Sequence, residues 1–433
     1  MTQSLNRRAV LGAGLLAPLS ACTSTSAAPA ASAPAAPAPG DWESVAAQFA
    51  LKPGVANFAA YVLAPHPAPV RRAIQQHRDA LDADPHYTPA GGMVPDDASR
   101  KAAADYLGAR FPNIALTDST TMGLGLLYSG LRLRPGQEVL TTEHDFMATH
   151  ENLRLLAART GAKVRRVRLY DDPFTASADR VLAAIKAGLS PATRVVAVTW
   201  VHSSTGVRLP IRAIADLLAA ENQSRNANDR MLLCVDGVHG FGAMADGVEE
   251  LGCDFLASGT HKWLAGPRGT GILWGRDWSR LDPVITSFGP NAFESWQTGR
   301  PPAAPTADYY TPGGYKAFEH RWAMPAAFEF HQALGKQRVQ ARIQELATRL
   351  KAGLKDLRHV KLATPLAPEL SAGLVCCSVE GLSPGAAVTR LRERHRIETS
   401  VTPYREQLLR FGTTIMNSPE QVDQAIKAMA SLA

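Results

Sequence analysis

Cysteine is scarce in this chain, with five cysteines in 433 residues. Cys234, Cys253, Cys376 and Cys377 stand in apolar stretches, and Cys22 lies near the start of the chain. This low number argues against a small scaffold held together by disulfides. We expect the four downstream cysteines to be small, buried, reduced side chains.

Extended runs of one charge are also absent. The formal net charge is +7, yet the basic residues are scattered along the chain. Scattered charge is typical of a solvated surface, and the sequence carries no nucleic-acid motif. We therefore expect no nucleic acid partner, and we expect no metal ion at the functional site.

Long hydrophobic runs are missing except for Val10–Leu19. This stretch is too short to span a bilayer, and it is flanked like the apolar part of a secretory signal. It follows the twin-arginine pattern Asn6-Arg7-Arg8, and its end overlaps Leu19-Ser20-Ala21-Cys22, which resembles a lipoprotein box. These features predict export by the twin-arginine machinery and a lipid anchor at Cys22. The alternatives are an ordinary Sec signal and simple cleavage nearby.

The next segment, residues 23–40, is almost wholly Ala, Pro, Ser and Thr. Such a composition cannot bury a core and predicts a disordered, partly extended tether. The predicted organisation is a signal at 1–22, the tether at 23–40, a large domain at 41–320 and a small C-terminal domain at 321–433. The predicted location is periplasmic or otherwise extracytoplasmic.

Short Val- and Leu-rich runs alternate with amphipathic stretches in the middle of the chain. This alternation predicts an α/β fold with a mostly parallel, doubly wound sheet. The predicted strands are Glu138–Thr142, Lys163–Leu169, Arg194–Thr199, Met231–Val235, Asp254–Ala257 and Gly271–Trp274. The predicted helices include Asn152–Thr160, Ala176–Gly188 and Ile211–Ala220.

The pattern changes near Pro325, where one long helix is predicted over Pro325–Leu357. A smaller α+β domain should follow. Its predicted strands and helices are Gly373–Val379, Leu408–Phe411, Pro384–Arg394 and Pro419–Ala430. Phe288–Gly314 is predicted to be an ordered loop. Residues 41–90 are predicted to lead into the site and to join the small domain in part.

One lysine stands out in residues 258–270, Ser-Gly-Thr-His-Lys-Trp-Leu-Ala-Gly-Pro-Arg-Gly-Thr. Lys262 precedes a rigid Gly-Pro-Arg-Gly turn, and Asp236 follows an earlier apolar run. Pyridoxal phosphate chemistry needs a lysine that forms a Schiff base and a carboxylate that keeps the pyridine nitrogen protonated. At ~4 Å, such a carboxylate contributes roughly 4 kcal/mol at an effective dielectric near 20. This pair predicts pyridoxal 5'-phosphate as the cofactor.

A second element of the site is the stretch Thr117–Gly123, which opens a predicted helix with hydroxyl and glycine residues. Free N–H groups and the helix dipole at such a point form an anion site. An ordinary helix N-cap would look the same. The position of this stretch among elements that end at one edge of the sheet favours a phosphate site, because ligands of open α/β sheets bind there.

From about residue 55 to 430 the chain resembles the class V aminotransferase superfamily of fold-type-I pyridoxal phosphate enzymes. The residues that carry the resemblance are Asp236-Gly237-Val238-His239 and the run from His261 to Gly271. The chain is similar in particular to the isopenicillin-N-epimerase-like branch. The resemblance implies a large cofactor-binding domain, a smaller C-terminal domain and a homodimer.

The resemblance implies a role for each matching residue in the reaction. Lys262 is the Schiff-base lysine and the proton shuttle at Cα, and Asp236 is the partner of the pyridinium. Arg410 matches the residue that binds the substrate α-carboxylate, a task suited to a planar bidentate donor. The simpler alternatives are a helix-capping aspartate and a surface arginine.

The resemblance also implies contacts for the rest of the cofactor. The residues expected around the phosphate are Thr120, Thr121, Ser258 and His261. His239 and Ser203 are expected near the phenolic oxygen, although His239 also suits a buried core histidine. His144 is expected to stack on the pyridine ring, with Phe146 as the alternative.

Two departures from the family pattern limit these expectations. Glu319–Trp322 stands where many relatives carry the Gly-Thr whose threonine reaches the phosphate of the neighbouring subunit. The loop Ser400–Leu408 lacks the cysteine that cysteine desulfurases carry there, and Cys376 and Cys377 lie in a predicted strand. We therefore do not expect desulfurase activity.

The predicted activity is pyridoxal phosphate chemistry on an amino acid or peptide-like metabolite outside the cytoplasm. Lys262 serves epimerisation, transamination and elimination equally, so the motifs leave these outcomes open. A different class of function also stays open, a lipid-anchored ligand-binding protein without turnover. A nucleotide-binding loop at Gly266–Gly271 is disfavoured because no Gly-Lys-Ser/Thr sequence occurs there.

Overall fold

The computed structural model describes residues 41–86 and 95–432. The predicted signal, Cys22 and the tether lie outside the described residues. The strands are β1 (Ala56–Asn57), β2 (Ile114–Thr117), β3 (Glu138–Thr142), β4 (Lys163–Val167), β5 (Thr193–Thr199), β6 (Leu232–Asp236), β7 (Phe255–Gly259), β8 (Gly271–Gly275), β9 (Val360–Leu362), β10 (Leu374–Val379), β11 (Ile397–Glu398), β12 (Ser400–Val401) and β13 (Leu409–Gly412).

Helices connect and cover these strands. They are α1 (Trp42–Ala47), α2 (Ala68–Ala83), α3 (Pro95–Leu107), α4 (Thr120–Gly130), α5 (Met147–Thr160), α6 (Ala178–Gly188), α7 (Ile211–Asn222), α8 (Val248–Leu251), α9 (Pro290–Thr298), α10 (Phe318–Trp322), α11 (Met324–Leu334), α12 (Lys336–Lys355), α13 (Pro384–His395) and α14 (Pro419–Ala430). No helix of the described residues is long and apolar enough to cross a membrane.

The main sheet has seven strands in the order β2-β8-β7-β6-β5-β3-β4. The pairs from β7 to β4 are parallel, whereas β8 is antiparallel to both of its neighbours. The connection from Gly259 to Gly271 contains no helix, and a parallel partner would require a longer crossover. The mostly parallel α/β fold predicted from the sequence is confirmed.

Both faces of this sheet are buried except at the edge strand β4, as expected for a doubly wound fold. Alternate residues of one strand therefore enter different cores. Val139 packs in the core formed with α4 and α5, whereas Leu140 packs in the core on the opposite face. Near-continuous apolar strands follow from this two-sided burial.

The C-terminal part forms a four-stranded antiparallel sheet in the order β12-β13-β10-β9. Leu350 of α12, Leu391 of α13 and Val422 of α14 contribute to the core of this region. The short strand β1 pairs in parallel with β11, which joins the segment after residue 41 to the C-terminal part. The predicted smaller α+β region is confirmed, together with the partial joining of the N-terminal segment.

Two element predictions are wrong. The helix expected over Pro325–Leu357 is divided into α11 and α12 at Gly335, whose φ of +84° interrupts the helical backbone. The loop expected over Phe288–Gly314 contains the helix α9. Since α10 runs across residue 320 and Phe328 of α11 packs in a core of the main sheet, the division at 320/321 stays a prediction.

Candidate active site

Asp236 is the last residue of β6, the central strand of the main sheet, and its carboxyl group is buried. The Val238 N–H donates to Asp236 Oδ1 at 3.0 Å. The pKa of Asp236 is raised to about 6, mainly by burial and in small part by Asp145, while the Val238 bond and Lys262 oppose the rise. A cationic ring nitrogen would relieve this cost of burying the negative charge.

Lys262 lies in the connection between β7 and β8 and is half-buried. This connection is closed by the Thr260 N–H, which donates to the Thr270 carbonyl at 3.1 Å, and by the Gly266 N–H, which donates to the Thr260 carbonyl at 2.9 Å. The pKa of Lys262 is lowered to about 8, mainly by burial and to a smaller extent by Arg410, while Asp236 opposes the change. About a tenth of the amine is then neutral at pH 7, far more than for a free lysine.

His239 contacts both the lysine and the residue that follows it. His239 Nε2 lies 3.4 Å from Lys262 Nζ, and the Trp263 Nε1–H donates to His239 Nδ1 at 3.2 Å. The ring is buried, and burial holds the pKa of His239 well below its usual range, with further lowering by Lys262 and Arg410. A neutral imidazole therefore lies beside the Lys262 amine.

The start of α4 has the features of an anion-binding site. The side chain of Ser119 accepts from the Met122 N–H at 3.1 Å, and the Gly259 N–H donates to Thr120 Oγ1 at 2.7 Å. His261 Nδ1 is buried without a hydrogen-bond partner. A Cβ at Gly259 would lie 2.7 Å from His261 Cε1 and 3.3 Å from Thr120 Oγ1, so both side chains border one glycine cradle.

The other two predicted phosphate residues stand differently. Ser258 is buried, and its hydroxyl donates to the Gly259 carbonyl at 3.0 Å. Thr121 is exposed on the first turn of α4. The structure thus brings Thr120 and His261 together, while the Ser258 hydroxyl is engaged by its own strand.

Arg410 lies in the middle of β13 and is buried. Its Nη1 donates to the Ser203 carbonyl at 3.0 Å and its Nε donates to Ser400 Oγ at 3.2 Å. The guanidinium carbon lies 5.1 Å from the centre of the Tyr61 ring. These contacts fix the plane of the guanidinium, as bidentate carboxylate binding requires.

The two candidate stacking residues occupy different surroundings. The His144 ring stacks on Tyr170, with ring centres 3.9 Å apart, and accepts a bond from the Leu169 N–H at 3.3 Å. Phe146 lies edge-on to Tyr404 with ring centres 5.9 Å apart. Tyr404 in turn hydrogen bonds to Ser203 Oγ at 2.7 Å. One face of His144 is therefore covered by Tyr170, whereas Phe146 belongs to the Tyr404–Ser203–Arg410 side.

Several residues at the site were not predicted from the sequence. Tyr61 stacks on Trp263 with ring centres 5.6 Å apart, and its hydroxyl is 2.6 Å from Ser400 Oγ. No local pattern marks Tyr61, because its partners are distant in the sequence. Asp145 carries a local sequence signal, because two threonines, Thr141 and Thr142, closely precede it. In the structure both hydroxyl groups donate to its carboxylate at 2.8 Å.

The described residues contain no group of three or more His, Cys, Asp or Glu side chains suited to a metal ion. The charged and polar groups instead form a set with a lysine, a buried carboxylate, a neutral histidine and an anion cradle. Such a set can bind an anionic ring compound covalently and can move a proton beside it.

The family model for class V aminotransferases matches residues 96–424. The chain belongs to this family. It is 29% identical to an isopenicillin N epimerase of Streptomyces clavuligerus over 90% of this chain and 98% of that protein. It is also 29% identical to an isopenicillin N epimerase of Amycolatopsis lactamdurans, with the same shares covered.

Other relatives have a different activity. A probable cysteine desulfurase of Vibrio cholerae is 30% identical over 46% of this chain and 47% of its own length. Among solved structures, the fold is similar to that of a mutant of C-DES with glycine covalently linked to its PLP cofactor. That likeness has a TM-score of 0.78 and 22% identity, and it covers 89% of this chain and 98% of the other.

Class V aminotransferases depend on pyridoxal phosphate, and the site fits that group. The unpartnered His261 Nδ1 and the N-terminus of α4 suit a phosphate. The buried Asp236 suits a protonated ring nitrogen, and Lys262, with a lowered pKa, suits a carbonyl carbon. These side chains come from α4, β6 and the connection between β7 and β8.

Proposed function

We propose that this protein is an exported pyridoxal-phosphate-dependent enzyme that acts at Cα of an amino acid or peptide-like metabolite with a free amino group and a carboxylate. The observation that carries the proposal is the convergence of Lys262, Asp236 and Arg410. Asp236 and Arg410 both influence the pKa of Lys262, although the three residues belong to different elements. A protein that had lost catalysis would not need these three charged side chains close together.

The residues of this chain divide the chemical task among themselves. When bound, pyridoxal phosphate supplies a carbonyl group that condenses with amines and a ring that accepts electrons from a bond at Cα. Lys262 holds or returns the proton at Cα, and a pKa of about 8 populates both of its protonation states near neutral pH. Arg410 binds the carboxylate of the substrate and thereby orients Cα toward Lys262.

Within this activity we propose epimerisation as the outcome. The support is the pair of isopenicillin N epimerases that match this chain at 29% identity along nearly their whole length. An exported enzyme would meet substrates assembled elsewhere, such as peptides. Incubation of the enzyme in D₂O with L-amino acids, or with peptides in which the reacting residue keeps both its α-amino group and its α-carboxylate free, should give deuterated D-epimers. A keto product would instead indicate transamination, and loss of a β-substituent would indicate elimination.

Desulfuration of cysteine is disfavoured by the surroundings of the cysteines. All four described cysteines are buried, and burial raises the pKa of Cys376 to about 12. A persulfide carrier needs an accessible thiolate. The loop from Thr402 to Leu408 contains no cysteine. Release of sulfide from cysteine in the presence of a reductant, at a rate comparable to turnover of peptides, would contradict this part of the proposal.

Lys262 gives the direct test of the cofactor assignment. Borohydride should fix pyridoxal phosphate to the wild-type protein, and the mass of the denatured chain should rise accordingly. The Lys262→Ala protein should gain no covalent cofactor while its circular dichroism stays unchanged. A wild-type protein that binds no cofactor even after its addition would leave the non-catalytic, lipid-anchored ligand-binding protein as the better explanation.

The assembly and the location are further parts of the proposal. The family resemblance implies a homodimer, and the large apolar side chains exposed around α9, such as Phe288 and Phe293, are consistent with a covered surface. Light scattering on the purified protein should give the molar mass of a dimer. Export rests on Arg7 and Arg8, and a lipid anchor rests on Cys22.

A further inference from the structure

The hydrogen bond from Trp263 to His239 determines which nitrogen of the imidazole carries the proton. The Trp263 Nε1–H lies 3.2 Å from His239 Nδ1. An indole nitrogen only donates hydrogen bonds, whereas each nitrogen of a neutral imidazole either donates or accepts. His239 Nδ1 must therefore be the acceptor, and the ring proton must sit on Nε2.

The packing around the indole holds it in the orientation of this bond. Trp263 is 5% exposed, and the Tyr61 ring covers it at a ring-centre distance of 5.6 Å and an interplanar angle of 18°. Tyr61 is itself fixed, because its hydroxyl is 2.6 Å from Ser400 Oγ and a Cβ at Gly412 would collide with its ring. The donor is thus positioned by two stacked rings and by β13.

The second ring nitrogen of His239 points at the reactive amine. Nε2 lies 3.4 Å from Lys262 Nζ. If Nε2 carries the proton, the amine can only accept, and an amine accepts only when it is neutral. The opposite tautomer would place the Trp263 N–H against an Nδ1–H, and the imidazolium ion would do the same.

We propose that Trp263 is a positioning residue that keeps His239 in the tautomer with its proton on Nε2, so that the imidazole donates toward Lys262. The tautomer favours the neutral, nucleophilic form of Lys262. The charges around the ring act in the same direction, because Lys262, Arg410 and His261 each disfavour a protonated His239. Asp236 is the opposing group, since it favours the ammonium form of Lys262.

The tautomer itself can be measured without cofactor. Histidine-selective ¹⁵N labelling of the cofactor-free protein gives separate nitrogen shifts for the two tautomers, and a His239→Gln sample assigns the resonances. The wild type should show a protonated Nε2 and a bare Nδ1 from pH 6 to pH 9. An Nδ1–H signal or an imidazolium at pH 7 would overturn the proposal without any variant.

The variant Trp263→Phe removes the donor and keeps an aromatic ring against Tyr61. It should give a mixture of His239 tautomers and raise the pKa of Lys262 by about one unit, which is a tenfold loss of neutral amine at pH 7. Trp274→Phe is the matched control, because Trp274 is equally buried and its indole N–H has no hydrogen-bond partner. The control should leave the His239 signals and the Lys262 titration unchanged.

A second readout uses the bound cofactor and rests on the proposed function. The rate at which Trp263→Phe captures pyridoxal phosphate should fall about tenfold at pH 7 and recover to within about twofold of the wild-type rate at pH 9, where Lys262 is mostly neutral in the wild type and about half neutral in the variant. A merely structural role would lower the rate equally at both pH values, which would contradict the proposal. If no protein captures the cofactor, the proposed function fails while the nitrogen shifts still decide the tautomer.

Discussion

Two residues of the site have pKa values displaced toward neutrality from opposite directions, and burial is the main cause of both displacements. Asp236 is raised to about 6 and Lys262 is lowered to about 8. The charged form of each side chain is therefore destabilised in the protein without ligand. A bound ligand that pairs with the carboxylate or reacts with the amine would relieve this destabilisation. Displaced pKa values of this kind are typical of functional sites, and here they occur at the carboxyl-terminal edge of the main sheet.

Asp236→Asn should reveal this cost in the cofactor-free protein. The folded pKa of about 6 lies above the ordinary 3.8, so the contribution of Asp236 to stability is present below pH 4 and is lost as the pH rises through 6. The two-unit shift corresponds to roughly 3 kcal/mol. The free energy of unfolding of the variant, relative to wild type, should rise by about that amount between pH 4 and pH 8.

Urea titrations of both cofactor-free proteins at several pH values measure the difference. Lys262 is present in both proteins, so most of its own titration cancels. A relative stability that does not change with pH would mean that the carboxyl group is not desolvated. With cofactor added, the variant should lose affinity, because the partner of the ring nitrogen has become neutral.

Arg410 is expected to bind the carboxylate of the substrate. Arg410→Lys keeps the charge and loses the planar fork, so KM for carboxylated substrates should rise about ten- to a hundredfold, the range expected for a charged hydrogen bond. Cofactor content should not change. Arg405→Ala, at an exposed arginine of the preceding loop, is the control and should leave KM within about twofold. Equal loss of cofactor and substrate binding would argue against a specific carboxylate role.

At the scale of elements, the sequence predicted most of the large sheet because each strand carries its own apolar pattern. Glu138–Thr142 and Pro419–Ala430 agree with the structure at both ends, and Asp236 and Lys262 were predicted as site residues from local motifs. Tyr61 and Ser400 were not found, since their contacts join segments far apart in sequence. Residues that meet only through tertiary packing leave no periodic signal.

The division of the long helix has the same explanation. The apolar period continues from α11 into α12, so the pattern alone favours one helix, and only the backbone of Gly335 separates the two. Its φ of +84° and ψ of +118° are disfavoured for residues with a Cβ. Gly335→Ala should therefore destabilise the protein by about 1–3 kcal/mol.

The matched control for this prediction is Gly385→Ala, because Gly385 lies in the first turn of α13 and a Cβ there would meet nothing within 4 Å. The control should change stability by less than about 1 kcal/mol. Thermal or urea unfolding of both variants measures the difference. If Gly335→Ala were as stable as the control, α11 and α12 could join without cost and the break would have another origin.

At the scale of the whole molecule, the side chains of the candidate site come from segments that only folding brings together. Lys262 and Asp236 belong to the main sheet, Arg410 belongs to the small sheet, and Tyr61 belongs to the N-terminal segment. A cofactor that needs this whole assembly can bind only to the folded chain. An enzyme of this kind that works outside the cytoplasm would best be exported already folded, which is what the twin-arginine pathway does.

Substitution of Arg7 and Arg8 tests whether the protein is exported in its folded state. Replacement of both by lysine keeps the positive charge and apolar stretch that a Sec signal needs but removes the arginine pair. The folded protein should then accumulate in the cytoplasm with its cofactor bound, and the extracytoplasmic fraction should lose most of its activity. Cys22→Ser is the companion variant, and it should release the exported protein from the membrane fraction without blocking export. Normal export of the lysine variant would assign the signal to the Sec route, and the chain would then have to acquire its cofactor after translocation.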